Sequence, residues 1–159
     1  MANVVLILGK SGTGKSTSIK TLDPKKTVII NVLGKRLPFK GSNSLYNAEN
    51  KNMFHIESYD TIKNYIESIS KNATNVSNII IDDATYVIRK EYFARAKENG
   101  YGKYTDLAQH FQSIIQTAEQ SRPDLNIFFI MHSEDTASDN ITTGYKVSTI
   151  GKLLDSQLI

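Results

Sequence analysis

Gly9-Lys10-Ser11-Gly12-Thr13-Gly14-Lys15-Ser16, which directly follows the apolar run Val4-Val5-Leu6-Ile7-Leu8, fits the pattern G-x-x-x-x-G-K-[S/T]. The pattern has a mechanism only where a buried strand runs into a helix, and this sequence has that order. Val4 to Leu8 is short and unbroken, as suits a strand covered on both faces. A helix is predicted from about Lys15 to Leu22, stopped by Asp23-Pro24. The glycines give the loop the backbone freedom to wrap phosphate oxygens, and the helix start adds unpaired N–H groups. The residues from Gly9 to Thr17 are thus read as a nucleotide phosphate cradle, with Lys15 reaching the β- and γ-phosphates and Ser16 ligating Mg²⁺. The alternative is a Gly-rich turn that binds nothing.

A second ligand for Mg²⁺ has to come from a neighbouring strand. Ile79-Ile80-Ile81-Asp82 supplies it, with a carboxylate at the C-terminal end of a buried run, the edge at which open α/β sheets bind ligands. Asp83 has two readings, orienting an attacking water or capping the helix that starts at Ala84. His132 follows the apolar run Ile127–Met131 and is expected at the same edge, where it reads the γ-phosphate or the water, or else bonds local backbone. His55 and His110 are assigned no role.

Further strands are expected at Thr27–Val32 and Met53–Ile56. Helices are expected from Ser58 or Asp60, over 84–98 and over 104–121, with residues 33–52 and 134–140 as loops and a hairpin around Gly144 in Ile141–Val147. Short apolar strands alternating with helices predict an α/β fold with a mainly parallel sheet.

The chain has 159 residues, 40% of them hydrophobic and 22% charged, which fits one globular domain spanning 1–159. It has no cysteine, hence no disulfide, and no apolar run long enough to cross a membrane. Met1-Ala2-Asn3 leads straight into the first strand, so no signal peptide is expected. Residues 1–52 carry nine basic and two acidic side chains, a net of +7, while the rest carries −4. Phosphate binding accounts for Lys15 and for Lys10. Lys35, Arg36, Lys40 and Lys51, in a stretch that also holds Phe39, Tyr46 and Phe54, are left as candidate DNA contacts, because basic and aromatic side chains together suit single strands.

Three blocks, Gly9–Thr17, Ile79–Asp83 and the strand ending Met131-His132-Ser133, together with Ile30–Gly41 and Thr149–Asp155, resemble the small phage-encoded AAA-type P-loop ATPases with a RecA-like core, some of which are similar to single-strand annealing or recombination proteins. The resemblance implies a three-layer α/β/α domain that binds ATP and Mg²⁺, associates with single-stranded DNA, and assembles into a ring or filament in the bacterial cytoplasm. It also implies a cation donated by a neighbouring subunit, for which Lys146 and Lys152 lie in the right region. The sequence departs from the group in two respects. The glutamate expected after the second strand is absent, the strand reading Ile29-Ile30-Asn31-Val32. The core of the group also continues with strands beyond the region of Gly144, so the last strands are missing here or the chain is part of a longer one.

Two other classes share the loop. A small-molecule kinase needs an arginine-rich lid, and Arg89, Arg95 and Arg122 form no cluster in the sequence. A partitioning-type dimerisation switch carries an extra lysine where Lys10 stands, but Ser11 replaces the glycine expected next. No pattern separates ATP from GTP.

Overall fold

The computed structural model describes residues 1–138 and 141–150. Its strands are β1 (Asn3–Gly9), β2 (Thr27–Asn31), β3 (Met53–His55), β4 (Asn78–Asp82), β5 (Asn126–Ser138) and β6 (Ile141–Val147). The helices are α1 (Ser42–Leu45), α2 (Tyr59–Asn72), α3 (Thr85–Ala94) and α4 (Gly102–Glu119). The strands lie in the order β1-β5-β4-β2-β3, parallel throughout, with β6 antiparallel to β5. This is the α/β P-loop NTPase architecture expected from the sequence.

All-apolar strands in a covered sheet give alternate residues to opposite layers. Val28, Ile30, Ile79, Ile81, Ile127 and Phe129 pack beneath α2, α3 and α4, where Ile62, Ile66, Phe111 and Ile114 complete the larger cluster. Ile29, Ile80 and Ile130 face the other way, onto Ile19, Leu37 and Tyr46. The segment following β2 thus serves as the second outer layer. It contains the short α1, where the sequence suggested only loop.

Several boundaries differ from the expectation. The helix after the phosphate loop is a six-residue 3₁₀ helix, Ser16–Thr21. The helix after β4 stops at Ala94, short of residue 98. Residues 134–138, expected as loop, continue β5, and the hairpin partner β6 begins at Ile141, so Gly144 lies within a strand, opposite Thr136. Polar residues lengthen β5 because this part pairs only with β6 and is not covered on both faces. Among the described residues β1 pairs only with β5, and its Leu6 and Leu8 are 42% and 41% exposed.

Candidate active site

Strand register sets the site. Gly9 pairs with His132 across β1 and β5, and Asn31 with Asp82 across β2 and β4, so the ends of four strands form one edge. Above it lies a cavity of about 580 Å³. One wall is the loop 11–17, with Gly12 and Gly14 at φ +80° and +87°. These are values that a side chain at either position would strain.

At the floor, the Ser16 hydroxyl donates to Asp82 Oδ1 at 2.7 Å. Asp82 is 5% exposed, and burial pushes its carboxyl above the ordinary range, with neighbouring Asp83 adding to the effect and the Ser16 bond opposing it. A buried carboxylate against a hydroxyl, bordering an open cavity, fits a hard divalent cation that completes its shell with phosphate and water oxygens. No all-protein metal cage occurs among the described residues, nor would Mg²⁺ bound in this way require one. The residues that would hold it are Ser16 and Asp82, and the ion would neutralise phosphate charge there.

The Lys15 ammonium donates to the carbonyls of Gly9 (2.6 Å) and Lys10 (2.7 Å). Burial holds it below its ordinary pKa, while Asp83 and Asp82 pull the other way. The helix here is a single short 3₁₀ stretch, which has a weaker N-terminal field than the α-helix expected from the sequence.

Asp83 adopts φ +59°, unusual for a residue with a side chain. Its carboxylate does not cap α3: the N-cap position is Ala84, without a side-chain bond. Asp83 Oδ1 instead lies 3.1 Å from His132 Nε2, which removes the capping alternative. His132 is not at the end of its strand, as the sequence suggested. It is the last residue of the parallel part of β5, since Ser133 already pairs with Val147 of β6. Its backbone N–H donates to the buried Thr85 Oγ1 at 2.9 Å, which locks the β4–α3 corner against β5.

The four basic candidates for DNA contact are not brought together. Lys35 and Arg36 line the phosphate-loop cavity, whereas Lys51 lines a hollow with Pro24 and Thr27 at the opposite end of β2; Lys40 is exposed and lines neither. The aromatic side chains of that stretch are largely taken up by packing. Tyr46 is buried with Phe39 edge-on against it, and the half-buried Phe54 packs on Tyr65 at the larger core. Lys10 pairs with Asp135 on β5 at 2.8 Å, beside the Tyr145 ring. Lys146 pairs with Glu134 at 3.1 Å, and Lys152 lies outside the described residues.

Sequence reasoning missed Tyr86, Arg89 and Ser148, all at this cavity. The only signal for the first two was helical spacing, three and six residues after Asp83. Of the arginines after residue 36 only Arg89 lines this cavity, which it shares with Arg36.

A family model for the AAA domain matches residues 1–157. The chain belongs to the AAA domain family. Membership makes this chain a P-loop ATPase-type domain. None of the curated proteins matches the chain. Among the described residues, no helix of this AAA domain is long and apolar enough to cross a membrane.

Proposed function

We propose that this AAA domain is a Mg²⁺-dependent ATPase that acts on DNA, in recombination or single-strand annealing, and works as a homo-oligomer. The observation that carries the ATPase reading is the Ser16–Asp82 bond at the base of the phosphate loop, because it joins the two groups that would share the metal. Asp83, positioned by His132, orients the attacking water; its carboxylate has no capping duty to compete with that role. The DNA reading draws on the net +7 of residues 1–52 and on the exposed Lys35 and Arg36.

The test is a titration of ATP hydrolysis with no polymer, single-stranded DNA, double-stranded DNA and RNA, alongside Lys15→Ala. Turnover stimulated by single strands and at least about a hundredfold lower in Lys15→Ala is the expected result. Equal turnover in Lys15→Ala would remove the site, and indifference to every DNA would remove the polymer.

Arg36, Arg89 and Lys35 around one cavity favour a second reading, phosphoryl transfer to a small acceptor. Release of inorganic phosphate in proportion to ADP, with no phosphorylated co-substrate, excludes it.

A further inference from the structure

The chain has four arginines, Arg36, Arg89, Arg95 and Arg122. Two are consumed by structure. Arg95 is held by Glu91, Glu98 and Asp106, and Arg122 by Asp124 and a ring of backbone carbonyls. Arg36 and Arg89 instead line the phosphate-loop cavity, and among the described residues neither forms an ion pair with a carboxylate.

Arg89 differs from Arg36 in being fixed. Its Nη2 donates to Ser148 Oγ at 2.9 Å, and its guanidinium carbon lies 5.2 Å from the centroid of the Tyr86 ring. Ser148 is 5% exposed and is tied by its backbone N–H to the His132 carbonyl at 2.8 Å. The Tyr86 ring in turn stands edge-on to the His132 ring at 5.8 Å. Arg89 is thus braced on both sides by groups that contact His132, the partner of Asp83. A neutral hydroxyl and an aromatic face orient the guanidinium without neutralising it, leaving its remaining donors for an anion in the cavity. An orienting contact of this kind is what a preorganised electrostatic catalyst requires, because the charge is in place before the reaction demands it.

We propose that Arg89 is the catalytic cation of this site and acts in cis, on nucleotide bound by the phosphate loop of its own chain. The inference rests on the ATPase reading above. In the step it serves, the oxygen of water bonds to the γ-phosphorus and the bond from that phosphorus to the β–γ bridging oxygen breaks. The electron pair leaves on the β-phosphate of ADP, and a water proton passes to the Asp83–His132 pair. Arg89 faces the charge that spreads over the transferring phosphoryl group. Lys146, the candidate within the described residues for a donation between subunits, is already paired with Glu134 of its own hairpin.

The test uses the full chain and its Arg89→Ala, Arg89→Lys and Lys15→Ala variants. Arg89→Ala is expected to lower kcat by about a thousandfold, the low end for an arginine that stabilises phosphoryl transfer, with the Kd for ATP changed no more than a few-fold. Arg89→Lys keeps the charge without the fork and should fall between the two. The ATP-binding measurement shows that the two Arg89 variants are folded, and a thermal melt does so for Lys15→Ala. Wild-type kcat in both Arg89 variants would overturn the proposal. Mixed subunits decide between cis and trans. A Lys15→Ala chain still carries Arg89, so if that arginine served a neighbour, adding it to Arg89→Ala chains would restore turnover, and the cis assignment would fall. No recovery is expected. Wild-type protein that hydrolyses no faster than Lys15→Ala would instead sink the ATPase reading, and this inference with it, whereas a normal wild type with a normal Arg89→Ala sinks this inference alone.

Discussion

Asp82 is placed where a lone carboxylate is costly: it is 5% exposed at the end of an apolar strand, and Asp83 is its neighbour. Its folded pKa lies above its ordinary value, so the folded chain holds the proton more tightly than the unfolded chain does. That contribution is fully present below the unfolded pKa of about 3.9 and is lost as the pH rises through the higher folded value. Asp82→Asn keeps an acceptor for Ser16 and removes the charge. We expect it to raise the melting temperature of the nucleotide-free protein at neutral pH by a few degrees, about 1 kcal/mol being worth roughly 2–4 °C in a chain of this size. Thermal melts at pH 4 and pH 7 would check this, with the gain over wild type vanishing at the lower pH. A variant that melts below wild type at pH 7 would show that the carboxylate is not a liability. Gly34 is constrained in a different way. It sits at φ +66°, and a Cβ there would meet three atoms of the His55 ring at 3.3 Å. Gly34→Ala should therefore cost about 1–2 kcal/mol from backbone conformation alone, read by urea denaturation. It would also shift the adjoining Lys35 and Arg36.

At the scale of elements, the motif and its strand were legible because they are local. A run of apolar residues, two glycines at left-handed φ and a lysine need no knowledge of the rest of the chain. The element ends were less legible. The 3₁₀ helix after the loop and the early stop of α3 depend on what packs against them, and the hairpin was misplaced because Gly144 looked like a turn while lying inside β6, opposite Thr136. Arg122, which in the sequence only marks a helix end, holds the C-terminus of α2. It donates to the carbonyls of Ile69, Ala73 and Val76 and bonds Asp124. Arg122→Ala leaves those carbonyls without a partner, and we expect a loss of about 1.5–3 kcal/mol in equilibrium unfolding. ATP affinity should not change, because Arg122 does not line the phosphate-loop cavity. A drop in affinity without a drop in stability would contradict that division.

Over the whole molecule, the basic excess of the first 52 residues divides by position. Lys35 and Arg36 stand at the C-terminal edge of the sheet and Lys51 at the other end of β2, so one short nucleic-acid contact does not engage all of them. Single-strand binding without nucleotide, measured over a series of salt concentrations, should show this. Lys35→Ala combined with Arg36→Ala should reduce the slope of log K against log salt by about 1.4, and Lys51→Ala should leave it unchanged. An equal effect from Lys51→Ala would place the strand elsewhere on the surface.

The sequence alone determined the phosphate loop, the acid Asp82, the parallel sheet and the ATPase-type reading, since each is written in residues close together along the chain. Tertiary structure decided which cations face the loop, that Asp83 serves His132 and not a helix cap, and that the aromatics of residues 39–54 belong to the core. These outcomes follow from which parts of the chain meet. Arg89 and Ser148 lie 59 residues apart, and Asp83 and His132 lie 49 apart. Only the strand order and the register that pairs Gly9 with His132 bring such groups to one edge.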